Sequence, residues 1–179
     1  MTSFIIRDHV SRPAPPSWQP DAHSDCPFCR IVAGDSPAFR VYETERVVAF
    51  LDILPLRPGH TLVVPKRHTA RVSELAGEDA AAVGEAVSRV AGALVKAMGN
   101  TALNVVCNQE YAQAVHHVHY HVIPAPTFDS ATKVSPPMNE TGTGRVLSQG
   151  EMHRKEFENR SELDEEEGEE LARRIRAQL

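Results

Sequence analysis

No stretch of about 18 uninterrupted apolar residues occurs in the 179-residue chain, which excludes a membrane-spanning helix. The opening Met1-Thr2-Ser3-Phe4-Ile5-Ile6-Arg7-Asp8 holds too short an apolar run for a secretory signal, so the expected location is intracellular: cytoplasmic, with nuclear entry left open. Positive charge is in deficit. With 19 Lys+Arg against 24 Asp+Glu, the formal net charge of -5 argues against broad attraction to nucleic acid or an anionic membrane. A local basic pocket for a phosphate is compatible with that balance, and the expected partner is small. Cysteine occurs only three times, two of them in Cys26-Pro27-Phe28-Cys29. What is present in quantity is apolar residue, 41% of the chain, enough for one core in one domain with appended segments.

Residues 9–24 lack apolar periodicity and contain Pro13, Pro15, Pro16 and Pro20, so residues 1–24 are expected to form a mobile, Pro-rich leader. Val47 to Leu51 and Thr61 to Val64 are short β-branched runs on either side of a Pro- and Gly-containing turn, and read as neighbouring antiparallel strands. From Glu78 to Met98, apolar Val83, Val87, Val90, Leu94 and Met98 recur every three or four residues, the pattern of a long amphipathic helix. Gly99 follows, able to take the positive φ common past a helix C-terminus. Leu103 to Cys107 and the histidine-rich run below read as two more strands. The order predicts an α+β domain over residues 25–126, with one long helix against an antiparallel sheet. Residues 127–179 read as an irregular extension ending in a helix. That helix, Leu163 to Leu179, starts acidic and ends basic, with Glu169/Arg173 and Glu170/Arg174 as i,i+4 pairs and Leu171, Ile175 and Leu179 as an apolar stripe. Docking on the core or on a partner subunit is expected of it.

The most informative run is His117-Val118-His119-Tyr120-His121-Val122-Ile123. In a strand this spacing puts three imidazoles on one face and Val118, Tyr120 and Val122 on the other. Histidine is a poor packing residue, because each neutral ring brings a donor and an acceptor that need partners once water is removed. Alternate strand residues stand about 6 to 7 Å apart, too far for one zinc ion to bind all three at about 2 Å. The Cys26/Cys29 pair is open to several readings: a redox couple, half a zinc site, or two unrelated thiols. No thioredoxin-like βαβ pattern follows it, which counts against the first. Cys107, in a β pattern, reads as a small core residue.

The triad, Phe50-Leu51-Asp52-Ile53-Leu54-Pro55, the stretch from Pro58 to His68, and Asn108 and Gln113 ahead of the triad together resemble the histidine-triad family of nucleotide hydrolases and transferases, from about Asp25 to Pro126. The resemblance implies that His119 is the nucleophile, attacking the α-phosphorus of a nucleotide to form a covalent nucleotidyl-histidine. It implies that His121, Gln113, Asn108 and the backbone amides of Ala114 and Val115 meet the phosphoryl charge, with His60 in support. Asp52 would accept both ribose hydroxyls, and Phe28, Ile31 and Phe50 would wall the base. It further implies that Cys26, Cys29, His68 and His117 hold a structural zinc ion, with no organic cofactor. Two departures stand out: Ala112 replaces a usual glycine, and Ala114 replaces a hydroxyl residue that could assist an amine leaving group. The expected substrate is a purine nucleoside phosphoramidate, such as an AMP derivative, or a dinucleoside polyphosphate, and the expected assembly is a homodimer. Two alternatives stay open: a nucleotidyl transferase or phosphorylase with phosphate or sugar phosphate as acceptor, and a slow nucleotide-binding regulatory protein.

Overall fold

The computed structural model describes residues 25–125 and 160–179, with positions 151, 154, 157 and 158 between them. The leader expected over 1–24 and the irregular connection over 126–150 lie outside the described residues. In chain order the elements are α1 (Pro27–Ala33), β1 (Arg40–Glu43), β2 (Val47–Leu51), β3 (Thr61–Pro65), a 3-10 turn (Val72–Glu74), α2 (Gly77–Met98), β4 (Leu103–Cys107), β5 (Tyr120–Pro124) and α3 (Glu165–Arg176). The five strands form one sheet in the order β1-β2-β3-β5-β4, and every pairing is antiparallel. This is the α+β architecture expected, with the long helix on one face.

Strands β2 and β3 are buried along their whole length, because both faces of the sheet are covered. On one face, Val47, Ala49, Leu51, Val63 and Val122 pack with Val83, Ala86, Val90, Ala93 and Leu94 of α2. On the other, Val48, Phe50, Leu62 and Val64 pack with Cys26 and Phe28 of the α1 region. Period-2 alternation thus feeds two separate clusters from the same strands. The long helix runs as the periodicity predicts, and Gly99 closes it at φ 63°. At Gly59, φ +84° and the closeness of Pro124 Cγ and Leu94 Cδ2, 3.2 and 3.3 Å from where a Cβ would stand, leave room for glycine alone at the turn into β3.

Two elements went unread in the sequence, α1 and β1, and two expectations change. The triad strand begins only at Tyr120, so His117 lies in a bend and His119 immediately ahead of the ladder. Val118, between them, is buried as well. The closing helix docks on its own chain: Leu171, Ala172 and Ile175 join the cluster around α2. Asp164 caps it, its side chain accepting from the Glu166 and Glu167 amides. The expected i,i+4 pairs do not form as spelled. Arg173 pairs with Glu170, Arg176 approaches Glu169 at 3.8 Å, and Arg174 donates to the Ala97 carbonyl at 2.7 Å.

Candidate active site and metal centre

Three histidines two residues apart acquire three different environments. The Nε2–H of His117 donates to the Pro65 carbonyl at 2.8 Å, which leaves Nδ1 bare. That nitrogen faces Cys26 Sγ at 3.5 Å and Cys29 Sγ at 3.6 Å, while His68 Nδ1 stands 3.2 Å from Cys29 Sγ. The four donor atoms lie within 4.8 Å of one another. A tetrahedron built on zinc–sulfur and zinc–nitrogen bonds of about 2.3 and 2.0 Å has edges of about 3.3 to 3.8 Å, so the cluster fits such an ion. The Pro65 contact is the outer partner that orients a ligating histidine. Burial, helped by the neighbouring Cys26, pushes the Cys29 thiol up to about 12, so without a cation this sulfur stays protonated.

His119 is wired the other way round. Its Nδ1–H donates to the His117 carbonyl at 2.7 Å, so Nε2 is the bare nitrogen. Burial lowers its pKa from the ordinary histidine value, against the opposing pull of that hydrogen bond, and the ring is neutral near pH 7. Phe28 stands edge-on to it with ring centroids 5.1 Å apart, and His121 lies 4.8 Å away on its other side.

His121 is paired with His60. His60 Nδ1 accepts the Leu56 amide at 3.1 Å, so the His60 proton sits on Nε2, which donates to His121 Nδ1 at 2.9 Å. The proton of neutral His121 is therefore on Nε2. Burial, and then the neighbouring His121, Arg160, His119 and Arg57, push His60 down to about 3. Burial and His119 take His121 to about 4. Asp52 Oδ2 lies 3.4 Å from His60 Nδ1. Although Asp52, His60 and His121 could in principle gather round a cation, His60 turns different nitrogens to its two neighbours. The 2.9 Å His60–His121 contact is a hydrogen bond, and Asp52 flanks that pair without bonding to it.

The other expected residues divide. Phe28 and Phe50 meet edge-on at 5.6 Å and are buried, while Ile31 and Val115 flank their cluster and remain partly accessible. Asn108 follows β4 directly, and Ala114 is exposed in the loop leading to the triad. Gln113 is held from within the protein. It is fully buried, donates Nε2–H to the Ala70 carbonyl at 2.9 Å and accepts the Glu110 amide at 2.8 Å. Its amide clamps the loop. Glu110 and Ala112 in that loop take positive φ, 59° and 55°. The structure also brings in Arg160, whose charge acts on Asp52 and His60 from the C-terminal segment. No spacing in the sequence signals it.

The HIT domain family matches residues 33–127, more than half of the chain, including the triad, Asp52, His60 and His68. This chain belongs to the HIT family. It is 43% identical over 102 residues to Protein hit of Bacillus subtilis, covering 56% of this chain and 70% of that protein. It is 38% identical over 128 residues to the adenosine 5'-monophosphoramidase hnt1 of Schizosaccharomyces pombe, covering 70% of this chain and 93% of that protein. Among solved structures, a Zn-bound histidine triad family protein from Mycobacterium smegmatis matches with TM-score 0.63 at 30% identity, over 87% of this chain and 94% of that one. HIT relatives thus include a named hydrolase of an adenosine nucleotide and a zinc-bound member. Among the described residues, no helix is long and apolar enough to cross a membrane.

Proposed function

We propose that this HIT protein hydrolyses purine nucleoside 5′-phosphate derivatives, phosphoramidates or dinucleoside polyphosphates, through a nucleotidyl-histidine at His119. The observation that carries the reading is the His119 Nδ1–H bond to the His117 carbonyl, which leaves the lone pair of a neutral ring on Nε2, with the His121 ring 4.8 Å away between centroids. In the first step Nε2 forms a bond to the α-phosphorus while the bond to the leaving group breaks; the departing atom keeps the electron pair, and a departing nitrogen takes up a proton from solvent and leaves as amine. The ring then carries a positive charge, steadied by its Nδ1–H···O=C contact. In the second step water attacks the same phosphorus and the P–N bond breaks. Nucleoside monophosphate leaves, the neutral ring returns, and the water's proton passes to solvent.

The other roles are those that the family likeness implies. The His121 N–H, Asn108 and the backbone amides of Ala114 and Val115 meet charge on the phosphoryl oxygens, as preorganised donors do best. His60 orients His121, Asp52 accepts the ribose hydroxyls, and Phe28, Ile31 and Phe50 bound the base. Cys26, Cys29, His68 and His117 hold a structural zinc ion, which supplies a closed cross-link between the start of α1 and the triad. The assembly is a homodimer; the open edge of β4, with Val105 45% exposed, supports this part of the reading. Light scattering at twice the chain mass would bear it out, and the mass of one chain would remove it.

The test of the whole is a substrate panel of nucleoside phosphoramidates, dinucleoside polyphosphates and nucleotide sugars, run with the wild-type protein and His119→Ala. Wild type should release nucleoside monophosphate and, quenched in acid-free denaturant, retain radiolabelled nucleotide. His119→Ala should lose at least about a thousandfold in turnover and all trapped label. Normal turnover by the variant would remove the nucleophile, and product formed only when phosphate is added would replace hydrolysis by transfer.

A further inference from the structure

The loop that leads into the triad is fastened along one side to residues 69–73, the stretch that follows His68. The Val118 amide donates to the Thr69 carbonyl at 2.7 Å, and Gln113 Nε2–H to the Ala70 carbonyl at 2.9 Å. Further along, the Ser73 amide donates to Gln109 Oε1 at 3.1 Å. Between these lies a charged contact: Arg71 Nε–H donates to Glu110 Oε1 at 2.6 Å, while its Nη1 donates to Glu74 Oε1 at 2.9 Å. The 3-10 turn over Val72–Glu74 brings Glu74 beneath Arg71, since side chains three apart eclipse in that geometry. The rigid donor fork of the guanidinium is thus held between two carboxylates.

Glu110 needs that hold. Its φ of 59° puts a residue with a Cβ in the left-handed region, where glycine alone is at ease. Its amide donates to Gln113 Oε1 at 2.8 Å, which fixes its backbone from inside, and Arg71 grips its side chain from outside. Relaxation of Glu110 to negative φ would draw its carboxylate away from Arg71. The same turn of the backbone would redirect the chain through Tyr111 and Ala112 toward Ala114 and Val115, whose amides are assigned to the phosphoryl oxygens.

We propose that Arg71 is a positioning residue for recognition of the 5′-phosphate: its bond to Glu110 holds the loop from Asn108 to Val115 in the left-handed path that sets the Ala114 and Val115 amides. This rests on the assignment of those amides to the phosphate. A partly exposed ion pair contributes modestly to stability, so the role of this one is to choose a loop conformation that glycine-free sequence disfavours. The two stretches that the pair joins also carry His68 and His117, so the brace and the metal centre hold the same two lengths of chain together at different points.

The experiment measures calorimetric binding of AMP and of adenosine to the full-length, zinc-loaded protein, as wild type, R71Q, E110Q, the R71Q/E110Q double variant and E74Q. R71Q should weaken AMP binding about fivefold, the factor that a partly exposed ion pair of about 1 kcal/mol supplies, and leave adenosine unchanged. E110Q separates positioning from charge. Removing a carboxylate would by Coulomb attraction alone tighten an anionic ligand, whereas loss of the brace should weaken AMP as much as R71Q does. The double variant should be no weaker than either single one, and E74Q should stay within about twofold of wild type. Tighter AMP binding by E110Q, additive losses in the double variant, an E74Q loss as large as that of R71Q, or equal losses for AMP and adenosine would each overturn the proposal. Wild type that binds AMP no better than adenosine would instead overturn the assignment of the loop to the phosphate and the proposal with it, a result separable from failure at Arg71 alone.

Discussion

Val47, Ala49, Leu51, Val63 and Val122 leave the sheet toward α2, and Val48, Phe50, Leu62 and Val64 leave the same strands toward α1. The first face is closed mainly by apolar side chains, from Val83 and Leu94 of α2 to Leu171 and Ile175 of α3, with the buried Asp79 of α2 as a polar exception. The second borders His117, His119, His60 and Gln113, all buried, and every one has a hydrogen-bond partner. Apolar burial is non-directional and stabilises in proportion to area, so the α2 face tolerates exchange among residues of similar volume. Buried imidazoles do not, because a nitrogen left without a partner costs about 1–3 kcal/mol. One sheet therefore carries a face whose stability rests on volume and a face whose stability rests on which nitrogen holds the proton.

The sharpest way to break this comparison is to remove the cross-link that only the histidine face carries. Chelation, or Cys29→Ser, should abolish metal binding and lower stability by about 4 kcal/mol relative to protein in metal at a thousandfold excess over Kd. Chelator-insensitive melting with no metal bound would leave the two faces alike in this respect. Acid comes next, measured on Cys29→Ser protein to take the metal site out of the comparison. His60, His121 and His119 have pKa values depressed below the ordinary 6.5, to about 3 and about 4 for the first two. Below pH 6.5 the unfolded chain takes protons that the folded one refuses. Stability is thus fully present above that pH and should fall by about 1.4 kcal/mol per pH unit for each ring as pH drops toward the folded values. Denaturant midpoints that stay flat from pH 7 to 5 would show the rings already open to water. Smaller still is a lesion of the α2 face. A Cβ at Gly168 would stand 2.6 Å from two ring atoms of Phe39, so Gly168→Ala should cost about 1–3 kcal/mol with AMP affinity unchanged. A loss of affinity there would show the two faces to be coupled.

Much of the α2 face was legible in the sequence, since period-3.6 and period-2 patterns report burial directly, and Val83, Val90 and Leu94 lie where they predict. The element β1 was not, because Arg40-Val41-Tyr42-Glu43 has a single buried residue and a bulge against β2. Neither was α1, seven residues long, too short for a period to register. On the histidine face the sequence named the rings but not their roles, because the partners that set each tautomer are the carbonyls of Pro65 and His117 and the amide of Leu56. Backbone groups are the same in every residue and leave no spelling. Gln113 illustrates the limit: its partners, the Ala70 carbonyl and the Glu110 amide, are backbone groups as well.

That loop supplies the smallest and most local comparison. Glu110 and Ala112 both stand in the left-handed region, at φ 59° and 55°, on either side of Tyr111. A Cβ there meets the following carbonyl oxygen and costs about 1–2 kcal/mol, a strain glycine does not carry. Ala112→Gly removes that strain but gives the unfolded chain more freedom to lose on folding, which offsets part of the gain. The net expectation is stabilisation by about 0.5 to 1 kcal/mol in denaturant melts, with the Gln113 clamp intact. If the loop's shape matters only because it aims the Ala114 and Val115 amides, turnover should stay within about twofold of wild type, since the relieved strain leaves those amides in place. A large fall in kcat with unchanged KM would mean that alanine's stiffness, rather than its bulk, holds the phosphate loop in its working shape.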